Sequence, residues 1–226
     1  MFNWTTSKPQ TNYGIILDLD QTLVYSYEDE ILLETGITTR PECFDIRKRV
    51  YKLFLLDVME KNRGKGEQTE MWGIIRPHVK EFIKFCFSYF RVVAVWSAGR
   101  ASYVEALVDL LFKDVQRPHI IFTYNDCEEH PDDENLVVKP ITSMIEKTQA
   151  ADYMTLQNTF VLDDTEYTFF FNRDNGILIP PFRPFPTPNG LRESDFALKR
   201  LQEWFESLDP NIEDIRMLDK NNIFTN

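Results

Sequence analysis

Basic residues are the first shortage in this sequence. Its 25 lysines and arginines face 36 aspartates and glutamates, which leaves a formal charge of −11. Proteins that grip a nucleic-acid backbone need lysine and arginine to neutralise phosphates, so the sequence predicts no direct nucleic-acid partner. An anionic substrate must be captured locally, and a bound divalent cation with a few basic side chains could do so inside an acidic protein.

Cysteine and histidine are also scarce. Cys43, Cys86 and Cys127 are odd in number, far apart and never arranged as Cys-x-x-Cys, so neither a disulfide framework nor a zinc site is indicated. We expect three buried thiols in a reducing compartment. The spacing from Cys86 to Arg91 is one residue too short for a cysteine-dependent phosphatase loop, and the three histidines show no metal-ligand spacing.

Long apolar runs are missing as well. No stretch approaches the roughly 18 apolar residues of a membrane span, and the N-terminus lacks a basic start followed by an apolar segment. We expect a soluble, intracellular protein of the nucleus or cytoplasm with no membrane partner. The 226 residues fit one domain, 1–226, and a hydrophobic content of 43% allows a well-packed core.

Short apolar segments that end in polar residues predict the buried strands of a parallel sheet. They are residues 13–18, 91–97, 119–123 and 159–163. Helical spacing predicts helices over 77–90 and 101–112, and Ser194 is predicted to cap a third that reaches residue 208. This alternation indicates an α/β fold, a Rossmann-like parallel sheet with helices on both faces, whose ligands gather at the carboxyl ends of the strands.

Two regions fit this scheme poorly. The segment from about residue 25 to 75 holds possible strands at 53–58 and 71–75, with a turn at Gly64 and Gly66 between them, and we interpret it as a flap or small β insertion over the site. It lacks the Gly-x-x-x-x-Gly-Lys frame of a nucleotide-binding loop. The acidic run 126–134 is interpreted as a solvated loop in preference to a cation site.

Asp18 and Asp20 follow the first predicted strand, two positions apart. Two carboxylates in one pocket can divide the roles of nucleophile and general acid when a cation lies beside only one of them. The alternative is that both are loop residues that cap the following turn. Ser97, Asp163 and Asp164 end two other predicted strands, so they should lie at the same edge of the sheet.

Several motifs, in order along the chain, resemble those of a known family. Residues 18–26, Asp-Leu-Asp-Gln-Thr-Leu-Val-Tyr-Ser, resemble the opening Asp-Leu-Asp-Glu-Thr-Leu-Val-His-Ser of the FCP/SCP-like phosphatases, which act on the RNA polymerase II C-terminal domain. Further matches follow at 76–82, 92–99, 138–139, 160–164, 172–182 and 195–216. The resemblance implies a haloacid dehalogenase-like fold and a Mg²⁺-dependent phosphatase that works through an aspartyl-phosphate.

The resemblance also implies roles for individual residues. Asp18 is expected to attack phosphorus, and Asp20 to protonate the leaving oxygen and then activate water. Mg²⁺ is expected to be held by Asp18, the backbone carbonyl of Asp20 and Asp163, with Asp164 acting through water. Lys139 is expected to be a catalytic residue that binds the phosphate with its positive charge.

Two hydroxyl groups complete the implied phosphate site. Ser97 stands at a position that is threonine in the family, and Thr22 is expected to help bind phosphate and to hydrogen-bond within its own motif. The sequence departs from the family at Gln21, where glutamate is usual, at Gly99, where serine is usual, and at Asn125, where a basic residue is common. The Asn125 change and the acidic run after it weaken the case for the same multiply phosphorylated peptide.

Three functions stay open on the sequence alone. The resemblance favours a protein phosphatase acting on phosphoserine or phosphothreonine, with the RNA polymerase II tail as one candidate partner. A small phosphorylated metabolite is the alternative substrate. A binding module that has lost catalysis is the third function, and the retained aspartates and Lys139 argue against it. The length leaves no room for an added phosphopeptide-binding domain, so we expect a catalytic core alone.

Overall fold

The structure is a computed structural model that describes residues 8–27, 37, 40–57 and 64–225. In chain order, the strands of these residues are β1 (Gly14–Leu17), β2 (Val24–Tyr27), β3 (Val50–Leu56), β4 (Gln68–Ile75), β5 (Val92–Trp96), β6 (Ile120–Phe122), β7 (Glu128–His130), β8 (Asp133–Val138), β9 (Thr159–Asp163) and β10 (Gly176–Leu178). The helices are α1 (Phe44–Arg47), α2 (Val79–Tyr89), α3 (Ala101–Phe112), α4 (Ile141–Thr148) and α5 (Ala197–Ser207).

The central sheet is parallel and has the strand order β10-β9-β1-β5-β6. Four of its strands lie within the predicted segments, and the predicted α/β fold is confirmed. Strand β10 was not predicted. Since β1 is the middle strand, the residue that follows it lies at the centre of the sheet's carboxyl edge.

Helices cover both faces of this sheet. Side chains alternate along a strand, and in β1 Ile15 and Leu17 pack with apolar residues of α2, α3 and α5. Ile16 points the other way and packs with Ile141 and Met144 of α4. The sheet is therefore buried on both sides, which explains why its strands are mostly apolar.

A second, antiparallel sheet in the order β2-β4-β3 forms the predicted insertion, which we call the flap sheet. Strands β3 and β4 confirm the two predicted strands, although β4 begins three residues earlier and residue 58 lies outside the described residues. Gly64 and Gly66 form the predicted turn, with φ values of +76° and +71° that favour glycine. Strand β2 adds a third strand that the sequence did not predict.

Three smaller predictions were wrong. Helix α5 begins at Ala197 with Phe196 at the N-cap position, so Ser194 does not cap it, and the Ala197 backbone N–H donates to Asp195 Oδ1. The acidic run is exposed, as expected, but forms the hairpin β7–β8 and not a loop. Cys127 is only half-buried, whereas the other two thiols are buried as predicted.

No helix in the described part of the chain has both the length and the apolar character to cross a membrane.

Candidate active site

The carboxyl ends of β1 and β9 bring two aspartates together. Leu17 pairs with Leu162 in the parallel register, and the backbone N–H of Asp18 donates to the Leu162 carbonyl at 3.0 Å. Asp163 ends β9 and therefore lies beside Asp18. Both side chains are buried, with 6% of Asp18 and 1% of Asp163 exposed. The sequence prediction that these strand ends meet is confirmed.

Lys139 joins these two carboxylates. It follows β8, is 2% exposed, and its Nζ donates to Asp18 Oδ1 at 2.7 Å and to Asp163 Oδ2 at 2.6 Å. Hydrogen bonds between charged groups are short and strong, and a buried lysine needs such partners. The second oxygen of Asp163 accepts the backbone N–H of Thr165 at 2.9 Å, which fixes the carboxylate plane. Lys139 thus holds a fixed positive charge against Asp18, the candidate nucleophile.

The charges of this array are unevenly balanced. Burial raises the pKa of Asp18 well above its usual value, although Lys139 opposes the shift. Burial lowers the pKa of Lys139, but Asp163 and Asp18 outweigh burial and hold it above its usual value, so the ammonium stays charged. Burial and the charge of Asp163 also raise the pKa of Asp164. A single lysine leaves excess negative charge among these acids.

The acids form a group that could hold a cation. Carboxylate oxygens of Asp18, Asp163 and Asp164 all lie within 4.8 Å of one another. Hard oxygen donors of this kind fit Mg²⁺, and the excess negative charge favours a divalent ion. The Asp20 carboxylate is not part of the group, which leaves its side chain available for another role.

A tight turn carries Asp20 away from this group. Leu23 and Val24 donate their backbone N–H groups to the Leu19 carbonyl at 2.8 and 3.0 Å, and Gln21 adopts a left-handed φ of +59°. Neither motif carboxylate caps this turn, because Asp18 bonds Lys139 and Asp20 bonds a tyrosine from another element. The alternative that both are turn-capping loop residues is therefore wrong.

Tyr103 of α3 is the hydroxyl donor to Asp20 Oδ1 and was missed in the sequence. Burial raises the pKa of Asp20, and the bond from Tyr103 opposes the shift. Burial and the charge of Asp20 raise the pKa of Tyr103, so this hydroxyl stays protonated and keeps its role as donor. The only sequence signal was a hydroxyl within an otherwise apolar helix face.

Arg76 clamps the turn that carries Asp20 and was also missed, although its position matched a family motif. The side chain is 1% exposed and donates to the carbonyls of Thr22 at 3.1 Å and Pro180 at 2.8 Å. Its Nε and Nη2 bind the two oxygens of Asp195 at 3.1 and 2.9 Å. One guanidinium therefore ties the turn to the segment before α5.

The two hydroxyl residues of the predicted phosphate site differ in their surroundings. Ser97 follows β5, is 1% exposed, and its Oγ accepts the backbone N–H of Gly99 at 3.0 Å. Thr22 is fully buried, and its Oγ1 has no hydrogen-bond partner among the described residues. The expected hydrogen bond of Thr22 within its own motif is therefore wrong.

Two open clefts adjoin the site. A cleft of about 790 Å³ lies between the flap sheet turn and the start of α3, and Gly64, Ala98, Arg100 and Asn125 are among its lining residues. A second, of about 430 Å³, lies beside Asp20 and the flap strands. The predicted flap is thus one wall of both clefts.

The parallel α/β sheet has a haloacid dehalogenase-like fold, with an Asp–Lys–Asp array and a further aspartate at its carboxyl edge. Solved structures agree with this class. The RNA polymerase II CTD phosphatase Fcp1 of fission yeast, bound to beryllium fluoride, superposes with a TM-score of 0.60 at 16% identity, covering 88% of this chain and 50% of that one. Another structure of Fcp1 superposes with a TM-score of 0.64 at 14% identity, and the match covers 87% of this chain and 62% of that one.

The chain belongs to the NLI interacting factor-like phosphatase family, whose model matches residues 13–216. Among curated proteins it is similar to the ubiquitin-like domain-containing CTD phosphatase 1 of Gallus gallus, with 26% identity over 214 residues and 88% of this chain. The chain spans 65% of that relative's length.

Proposed function

We propose that this protein is a Mg²⁺-dependent phosphatase of phosphoserine or phosphothreonine in proteins, with Asp18 as its nucleophile. The observation that carries the proposal is the buried Asp18–Lys139–Asp163 array, in which a fixed ammonium holds one oxygen of each carboxylate. Family membership supports phosphatase chemistry for this array. Ser97 and Thr22 are proposed to contribute to phosphate binding.

The chemistry divides between two aspartates. Because Lys139 binds Oδ1 of Asp18, Oδ2 is the oxygen proposed to attack phosphorus, forming an aspartyl-phosphate as the ester P–O bond breaks. Asp20 gives its proton to the leaving oxygen in that step. Asp20 then takes a proton from water as the water attacks the aspartyl-phosphate, which releases phosphate, frees the Asp18 carboxylate and returns Asp20 to its protonated form. Lys139 stabilises the phosphoryl charge throughout.

Asp18, Asp163 and the Asp20 backbone carbonyl are proposed to hold Mg²⁺, with Asp164 acting through water. The ion would neutralise phosphoryl charge as the transition state forms. The fit rests on the oxygen donor set and on the excess negative charge around Lys139.

Mg²⁺ should therefore stabilise the folded protein. Binding to the native state alone adds stability that grows with the logarithm of the Mg²⁺ concentration above Kd, so Mg²⁺ in large excess over Kd should raise the melting temperature by about 5 °C. Asp163→Asn should abolish this rise, while Asp132→Asn, in the exposed hairpin, should retain it. Thermal scans with and without Mg²⁺ measure the shift. An equal rise in Asp163→Asn would place the ion elsewhere and contradict the proposed site.

A protein substrate is favoured over a small metabolite by the open clefts. The space of about 790 Å³ is open to solvent and is lined by Ala98, the residue that follows Ser97, so it can admit an extended peptide and does not seal a small molecule from water. The similar proteins are CTD phosphatases, which makes the RNA polymerase II tail the first peptide to test. A binding-only function is disfavoured because the residues proposed for catalysis are all present. Lys139 bonds Asp18 and Asp163, and Asp20 lies beside them, held by Tyr103.

A phosphate-ester panel tests the substrate class. With Mg²⁺ present, we expect kcat/KM for phosphoserine or phosphothreonine peptides to exceed that for sugar phosphates and nucleotides by at least about tenfold. The peptides include polymerase tail repeats phosphorylated on the first or the second serine, and Asp18→Asn serves as the blank. A preference for sugar phosphates or nucleotides would replace the protein substrate with a metabolite, leaving the aspartate chemistry intact.

A further inference from the structure

The carboxyl group of Asp20 is held by a residue that the proposed reaction does not use. Tyr103 is 6% exposed, and its hydroxyl donates to Asp20 Oδ1. The χ2 torsion of an aspartate is soft, so a carboxyl group without such a bond could present either oxygen to the substrate. The bond from α3 restricts this freedom.

The hydroxyl chain does not stop at Tyr103. Ser26 Oγ, on β2, lies 2.5 Å from the Tyr103 hydroxyl and 2.8 Å from the Tyr51 hydroxyl on β3. Each hydroxyl has a single proton to donate, and the Tyr103 proton is already donated to Asp20 Oδ1. The direction therefore follows: Tyr51 donates to Ser26, Ser26 to Tyr103, and Tyr103 to Asp20. Such chains strengthen each member by polarisation.

Two glycines make room for the two tyrosine rings. A Cβ atom at Gly99 would lie 2.8 Å from Cδ1 of Tyr103, and one at Gly73 would lie 2.2 Å from the ring and hydroxyl of Tyr51. Neither approach is tolerable for a real side chain. Gly99 is also the position at which the sequence departs from the family's serine, so this departure gives Tyr103 its space.

We propose that Tyr103 is a positioning residue, which holds Asp20 so that Oδ2 carries the transferred proton, and that Ser26 and Tyr51 link this orientation to the flap sheet. The proposal rests on the proposed function. Because Oδ1 already accepts the Tyr103 proton, a proton on Oδ2 avoids two hydrogens meeting at one oxygen. The general acid is thereby aligned before the leaving group arrives, which is where alignment accelerates a reaction.

The test is the dependence of kcat/KM on the leaving group. This ratio reports steps only through transfer to Asp18, so it is blind to hydrolysis of the aspartyl-phosphate. Esters with poor leaving groups need the Asp20 proton most. For Tyr103→Phe we expect kcat/KM to fall about tenfold with phenyl phosphate and about twofold or less with 2,4-dinitrophenyl phosphate. A plot against leaving-group pKa across aryl phosphates should become steeper.

Tyr89→Phe is the matched control. This substitution also removes a buried hydrogen bond, which the Tyr89 hydroxyl donates to the Phe205 carbonyl at 2.7 Å, but Tyr89 lies in the core away from Asp20. It should lower the melting temperature without changing the slope of the plot. Ser26→Ala should steepen the slope less than Tyr103→Phe, because the bond to Asp20 survives, and it replaces Tyr103→Phe if that variant does not fold.

A slope equal to that of the unsubstituted protein, in folded Tyr103→Phe or in its replacement, would overturn the positioning role while leaving the proposed function standing. If the unsubstituted protein hydrolyses no aryl phosphate, the proposed function fails, and the positioning role fails with it. The two failures are therefore distinguishable in one set of measurements.

Discussion

Replacing Asp18 with asparagine will abolish Mg²⁺-dependent hydrolysis of p-nitrophenyl phosphate, lowering kcat by at least about 10³-fold. An amide cannot attack phosphorus as a carboxylate does. The fold should persist, because Lys139 keeps its bond to Asp163 and an amide oxygen can accept the other. The second measurement is the amount of phosphoenzyme trapped by acid quenching and released by hydroxylamine. This phosphoenzyme should be present in the unsubstituted protein and missing in Asp18→Asn.

Two companion variants sharpen this test. Asp20→Asn should still form phosphoenzyme from p-nitrophenyl phosphate, whose leaving group needs little protonation, but should lose it slowly because Asp20 no longer activates water. Asp132→Asn makes the same change of charge in the exposed acidic hairpin and should keep full activity. Substantial turnover by Asp18→Asn, or phosphoenzyme that forms without Asp18, would refute this residue as the nucleophile.

Replacing Arg76 with methionine is expected to have the largest effect on stability. Loss of a buried, fully bonded guanidinium leaves Asp195 and two backbone carbonyls without their partner, and breaking such an arrangement costs about 3–5 kcal/mol. The melting temperature should fall by about 10 °C. Activity should fall in the folded fraction as well, because the turn that carries Asp20 loses its clamp.

Urea unfolding measures the loss, and Arg117→Met is the control. Arg117 pairs with Glu105 and Asp109 on the surface, with half of its side chain exposed. Exposed pairs contribute little, so this variant should unfold nearly as the unsubstituted protein does. Arg76→Lys keeps the charge but not the planar fork of donors, so its free energy of unfolding should lie between those of Arg76→Met and Arg117→Met. An equally small effect of Arg76→Met and Arg117→Met would mean that the clamp does not stabilise the fold.

The sequence predicted the parts of the fold in which one local pattern decides the structure. Strands β1, β5 and β9 are fully buried and mostly apolar because both faces of the sheet are covered, and α3 matches its predicted bounds. Strand β2 was missed because tyrosine and serine interrupt its apolar residues, and β10 because its residues were matched only to a family motif. The hairpin β7–β8 was interpreted as a loop because most of its residues are polar and exposed.

The site was predictable where chemistry and strand ends coincide. Asp18 and Asp163 follow apolar strands, so their meeting could be expected from parallel topology alone, whereas Lys139 depended on the family resemblance. Tyr103 and Arg76 could not be found in this way. Their partners lie 83 and 54 or more positions away in the chain, and no local pattern encodes such pairs.

The buried acids at the carboxyl edge have a consequence for how this protein can change. Asp18, Asp163 and Asp164 crowd like charges around a single ammonium, so the arrangement that suits catalysis opposes folding. Substitutions selected for thermal stability alone would tend to collect at this edge, since neutral residues there relieve repulsion. Thermostable variants raised without selection for activity should therefore be expected to lose the reaction before they lose the fold.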